Sequence, residues 1–143
     1  MATFKPNPAL QELEPLVGEW EIESPQFPGG QGRIVFEWHD GRAYLVQRSS
    51  APEPAPSSTW IMGSDEATES YTALYYDSRG VSRVYQMSWS KGVWTVWRDA
   101  PGFFQRFTST LGPDSRTITG RWEVSEDGTQ WVHDFDLNYA KVH

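Results

Sequence analysis

Arg83 lies in Ser82-Arg83-Val84-Tyr85-Gln86-Met87-Ser88-Trp89, where every second residue from Tyr85 on is large and apolar. The preceding Asp77-Ser78-Arg79-Gly80 has the chemistry of a three-residue hairpin loop, with aspartate opening the turn and glycine supplying its left-handed residue. That loop pairs Tyr75 with Arg83 and Ala73 with Tyr85, so Tyr71, Tyr75, Arg83, Tyr85, Met87 and Trp89 share one face. A guanidinium on such a face must meet a carboxylate or an anionic ligand. A three-residue loop at Ser90-Lys91-Gly92 would bring Asp99 opposite Arg83 as a structural partner. Otherwise the arginine is an anion site, or it faces outward into solvent.

His133 is the second candidate. A four-residue loop over 126–129, containing Asp127-Gly128, pairs Val124 with Trp131, Trp122 with His133, Gly120 with Phe135 and Ile118 with Leu137. His133 then projects to the apolar side, as a hydrogen-bonded core residue or as an axial ligand to haem. His39 is predicted at a turn and His143 at the chain end. Asp134 and Asp136 alternate outward, and Glu19, Glu21 and Glu23 form the wet side of another strand. Ser64 lacks the Gly-x-Ser-x-Gly elbow, and neither a glycine-rich phosphate loop nor a His-Glu-x-x-His helix is present. With no cysteine in the chain, thiolate chemistry, disulfides and cysteine-ligated metal are excluded. No metal site is expected.

Charge narrows the partners. The 12 Lys and Arg against 19 Asp and Glu give a net charge of −7, the wrong field for a nucleic-acid backbone or an anionic membrane surface. The aromatic residues are not interleaved with basic ones, as base stacking would require. Neither a signal peptide nor an apolar stretch of membrane-spanning length stands in the sequence, so the expected location is the cytoplasm.

These side chains need a scaffold, which the hydrophobic period describes. Asn7-Pro8 caps a short helix over 8–16, with Leu10, Leu13 and Leu16 on one stripe, and Gly18 ends it. The period then becomes two through ten strand-like runs: 19–24, 33–39, 42–49, 58–63, 70–77, 81–90, 93–99, 103–110, 116–125 and 130–141. Asp40-Gly41 as a two-residue turn pairs His39 with Arg42, Trp38 with Ala43 and Phe36 with Leu45. The proline-rich 50–58 is a stiff loop at a barrel mouth. Even spacing and sequential hairpins predict one all-β domain over 1–143: an antiparallel up-and-down barrel of eight to ten strands, with the helix at one mouth. The 8 Trp, 6 Tyr and 7 Phe amount to 15% of the chain, so rings either fill that barrel or line a cavity in it.

The opening Leu13-Glu14-Pro15-Leu16-Val17-Gly18-Glu19-Trp20-Glu21 resembles the start of calycin barrels, where Gly-x-Trp follows a short helix. The ending Thr119-Gly120-Arg121-Trp122-Glu123, with Asp127-Gly128, Trp131, Asp134-Phe135-Asp136-Leu137 and Tyr139, resembles the last hairpin of a bacterial lipocalin-like family of unknown function. The resemblance implies a barrel with a small-molecule pocket, similar in shape to fatty-acid-binding proteins and nitrobindins. Two departures bear on what it would hold. Both later glycines of the nitrobindin-type Gly-x-Trp-x-Gly-x-Gly are missing, and Leu137 stands where the fatty-acid-binding Arg-x-Tyr has its arginine.

The function expected is non-covalent binding of a small apolar or amphipathic molecule, with its polar or anionic group near Arg83. Trp20, Phe36, Trp38, Tyr75, Tyr85, Trp122, His133 and Phe135 would complete the binding wall. No cofactor is expected, haem on His133 being the alternative. A pocket enzyme of isomerase or cyclase type, a filled interaction domain and a homodimer are further readings that the residues leave open.

Overall fold

The three leucines of the N-terminal helix are spaced three apart, which matches the three residues per turn of a 3₁₀ helix. In the computed structural model, which describes residues 2–142, the segment Pro8–Leu16 winds as 3₁₀ and buries Leu10, Leu13 and Leu16 completely. Asn7 caps it by accepting from the Ala9 amide at 3.0 Å. His143 lies outside the described residues.

Ten strands follow in sequence order: β1 Gly18–Glu23, β2 Gly32–His39, β3 Tyr44–Ser50, β4 Ser58–Asp65, β5 Ser70–Asp77, β6 Ser82–Ser90, β7 Val93–Arg98, β8 Phe104–Leu111, β9 Thr117–Ser125 and β10 Val132–Lys141. Each pairs antiparallel with the next, and β1 pairs with β10 through Trp20↔Lys141 and Ile22↔Tyr139 to close the barrel. Closure pairs every edge strand.

The β5–β6 hairpin has the register the turn chemistry predicts, Tyr75↔Arg83 and Ala73↔Tyr85. Three other hairpins depart from expectation. In β2–β3 the connection is four residues long, so Trp38 pairs with Leu45 and Phe36 with Gln47. Asp40, Gly41 and Arg42 all take positive φ, and the Arg42 carbonyl accepts from the Asn7 amide at 3.0 Å, tying the loop to the helix. The offset is two residues, so the same side chains face inward.

In β6–β7 the turn is the two-residue Lys91-Gly92, both with positive φ, and Ser90 pairs with Val93. One residue less in the loop exchanges the faces of β7. Trp94 and Val96 therefore turn inward, and Asp99 is exposed instead of meeting Arg83.

In β9–β10 a bulge falls between His133 and Phe135. Before it, His133 pairs with Glu123; after it, Phe135 pairs with Trp122 and Leu137 with Gly120. The extra residue turns Trp131 and His133 outward while Phe135, Leu137 and Tyr139 keep facing the interior. Trp131 instead packs under the Arg106 guanidinium, 4.0 Å from its ring centroid.

Packing divides the barrel along its axis. At the helix end Leu10, Leu13, Leu16, Trp20, Leu45, Met62, Ala73 and Met87 are almost wholly buried and fill the interior. Polar contacts seat the plug: Asn7 donates to Ser64, the Trp38 indole donates to Glu14 at 2.7 Å, and Tyr71 donates to the Ala9 carbonyl.

Gly120 shows how tight the middle of the barrel is. A Cβ there would sit 2.5 Å from Cζ of Phe107 and 3.1 Å from the Leu137 carbonyl. Phe107 packs against Trp94, Trp122 and Tyr139, so its ring cannot shift without disturbing those contacts. Gly120→Ala should therefore cost about 1–3 kcal/mol through overpacking. A lower urea midpoint with an unchanged m value is expected; an unchanged midpoint would show that the ring moves freely.

Candidate functional site

The half of the barrel away from the helix is hollow. The β1–β2, β3–β4, β5–β6, β7–β8 and β9–β10 connections surround an opening into a cavity of about 510 Å³. Its inner end is formed by Trp94, Phe107 and Tyr139, and its wall by Ile34, Trp60, Tyr85, Val96, Trp122 and Leu137. The rings meet mostly edge to face: Trp60 with Tyr75 at 4.9 Å between centroids, Trp94 with Phe107 at 5.4 Å and Tyr85 with Trp122 at 6.1 Å. This packing joins the aromatic residues into one continuous apolar lining.

The mouth is polar and cationic. Arg83 stands two residues nearer the opening than Tyr85 on β6, and its guanidinium lies 5.3 Å from the Phe103 ring centroid. Among the described residues no carboxylate lies within ion-pair distance of it. Arg98, on the same alternation as Trp94 and Val96, is close enough to Tyr85 for its charge to act on the phenol. Burial pushes the Tyr85 phenol up, against the opposing pull of Arg83 and Arg98. That hydroxyl donates to Oε1 of Gln105 at 2.7 Å.

A third arginine is already engaged. Arg79 donates to Oδ2 of Asp77 through Nη2 at 2.7 Å and through Nε at 3.1 Å, while the Tyr75 hydroxyl donates to the same oxygen. Hydrogen bonds from Arg79 hold the Asp77 carboxyl well below the usual carboxylate range. Asp77 is thus committed to the rim and is not a base for chemistry in the cavity.

Four tyrosines, Tyr71, Tyr75, Tyr85 and Tyr139, hold their protons more tightly than a free phenol does. Burial pushes Tyr75 up to about 12, with the Asp77 carboxylate adding to the effect, and burial raises Tyr71 and Tyr139 as well. An unfolded tyrosine ionises near 10. Above that pH the unfolded chain therefore holds fewer protons than the folded one, and stability falls as pH rises. Thermal melts should decline from about pH 10 upward, with the absorbance of Tyr71, Tyr75, Tyr85 and Tyr139 as tyrosinates appearing only as the barrel unfolds. Full tyrosine ionisation near pH 10 in a folded protein would contradict this.

Of the residues expected to form the binding wall, the structure brings Tyr75, Arg83, Tyr85, Trp122 and Phe135 to the cavity. Trp20 and Phe36 are buried in the packed half, and Trp38 lies against the helix. His133 is on the outer surface, where Nε2 sits 3.0 Å from Oδ1 of Asp136. Axial ligation of a haem inside the barrel requires that imidazole on the inner wall. Pro56 of the proline-rich loop does reach the mouth. Among the described residues, no group of three or more His, Asp or Glu side chains is placed to hold a metal ion.

Sequence reasoning did not single out Gln47, Trp60, Trp94 and Gln105, all of which line the cavity. The Lys91-Gly92 dipeptide was the available signal for Trp94, because a two-residue turn there fixes the face of β7. Gln47 stands among apolar neighbours, Leu45 and Val46, where alternation is ambiguous.

Together these features define a closed ten-strand antiparallel barrel, plugged at one end and open at the other onto a ring-lined cavity. No protein-family model matches the chain, and no curated protein matches it. Among solved structures, the crystal structure of Rv2717c from M. tuberculosis is similar, with a TM-score of 0.63 at 15% identity over 97% of this chain and 100% of that one. At that identity the likeness is one of fold. No helix of the described residues is long and apolar enough to cross a membrane.

Proposed function

We propose that this chain is a lipocalin-like binding protein that holds a small amphipathic molecule non-covalently, with its apolar body against the rings and its anionic group at the mouth. The observation that carries the reading is Arg83: an arginine at the mouth of an aromatic cavity, with no carboxylate in ion-pair range among the described residues. Leaving such a charge half-buried and without a counterion is costly, and an anionic ligand offsets that cost. The cavity volume lies within the range of small-molecule sites.

Native mass spectrometry of protein purified without denaturation tests this directly. Retained mass is expected on the wild type and not on Val96→Trp, which places an indole in the cavity. Absence of bound mass, with no tryptophan-fluorescence response to a panel of amphipathic acids, would overturn the reading in favour of a barrel that acts only through its surface.

A further inference from the structure

The cavity has a second polar region at its inner end. Trp94 is only 3% exposed, and its Nε1 is the one fully buried side-chain nitrogen or oxygen among the described residues with no hydrogen-bond partner. Gln47, 4% exposed, lines the same cavity and makes no side-chain hydrogen bond to the described residues. Tyr139, 5% exposed, lines it too, and its hydroxyl is likewise without a hydrogen bond. All three line one cavity. The Trp94 ring lies 6.0 Å from that of Phe36, which is the cross-strand partner of Gln47, and 6.1 Å from that of Tyr139.

Elsewhere this chain pairs its buried polar groups. The Trp20 indole donates to the Leu16 carbonyl at 2.9 Å, Ser109 donates to the Trp94 carbonyl at 3.0 Å, and Gln105 accepts from Tyr85. A buried donor without a partner is a cost that folded proteins ordinarily avoid. That unpaired donor, on a cavity wall that also carries the Gln47 amide and the Tyr139 hydroxyl, marks the place where a ligand atom completes the set.

We infer that Trp94, Gln47 and Tyr139 form a hydrogen-bonding subsite for an oxygen at the buried end of the ligand, so that the ligand is an oxygenated amphipathic acid: a carboxylate at the Arg83 mouth, an apolar middle, and a carbonyl, hydroxyl or ether oxygen inside. This rests on the binding function proposed above and adds the chemistry of the far end. Trp94 can only donate, Tyr139 donates or accepts, and the Gln47 amide does both. The oxygen they share must therefore accept, and a carbonyl meets that requirement without needing a donor of its own. A plain alkyl acid would place methyl groups against all three and leave them unpaired, which is how a polar pocket rejects an analogue that lacks the polar atom.

Calorimetric titration with a homologous series of straight-chain carboxylic acids, each paired with the methyl ketone acid of equal length, tests the inference. At the length that spans the cavity, the keto acid should bind the wild type at least about tenfold more tightly than its plain counterpart. Tyr139→Phe keeps the ring, Trp94→Phe removes the N–H, and Gln47→Leu removes the amide. Each should reduce that preference while leaving plain-acid affinity equal or higher, in protein shown by its melting temperature to be folded. Equal binding of keto and plain acids at every length would overturn the subsite and leave the binding function standing. So would a preference that survives in all three variants. No binding by either series would overturn both.

Discussion

Trp20→Ala should lower stability by about 3–5 kcal/mol, the range for truncating a wholly buried tryptophan. Trp20 is 0% exposed and sits where the first strand leaves the helix. Its ring is edge-on to Tyr139 at 6.2 Å, the Lys141 ammonium lies 5.2 Å from its centroid, and its indole N–H satisfies the last carbonyl of the 3₁₀ segment. Alanine would open a void between helix and barrel and leave the Leu16 carbonyl without its donor. For a domain of this size, the melting temperature should fall on the order of 10 °C. Trp20→Phe retains most of the packing and should cost less. A melt unchanged by Trp20→Ala would mean that the plug is not part of the cooperative unit.

Arg83→Leu should move stability and affinity in opposite directions. With no carboxylate partner in ion-pair range, the arginine contributes no ion pair whose loss would unfold the barrel, and leucine suits the neighbouring Tyr75 and Tyr85 rings. The melting temperature should stay level or rise. Affinity for dodecanoate should fall about 10- to 100-fold, as a charge-assisted hydrogen bond contributes about 1.5–3 kcal/mol. Affinity for dodecanol, which has no charge to lose, should hold. A strongly destabilised variant would show that Arg83 supports the scaffold. Equal losses for acid and alcohol would show that it acts by packing alone.

Both predictions concern residues whose surroundings the sequence describes unequally. The break in period at Gly18 and the leucines at 10, 13 and 16 make the helix and first strand legible, because helix and sheet periods are distinct. Arg83 is legible because Asp77 and Gly80 occupy the positions a three-residue loop requires. Asp99 as its partner is not, since Ser90 has turn-like character and belongs to the strand. A loop one residue shorter reverses every side chain of β7, hiding Trp94 and Val96 and placing Asp99 outside.

His133 illustrates a different limit. A bulge takes up one residue at Asp134, and nothing in the residue types there announces it, so uninterrupted alternation carries His133 to the wrong face. The offset of two in β2–β3 leaves the inward set unchanged, because an even shift preserves the face. Gln47 defeats the reading for a chemical reason: a polar residue in a strand is expected in solvent, and this one faces the cavity.

Titration with anilinonaphthalenesulfonate, an aromatic anion whose fluorescence rises in apolar surroundings, probes the cavity itself. Saturable one-to-one binding to the wild type is expected, weakened by Arg83→Leu and abolished by Val96→Trp, while Val96→Trp keeps a cooperative melt. Undiminished binding to a folded Val96→Trp protein would place the probe on the outer surface and contradict the claim that the barrel interior is the binding site.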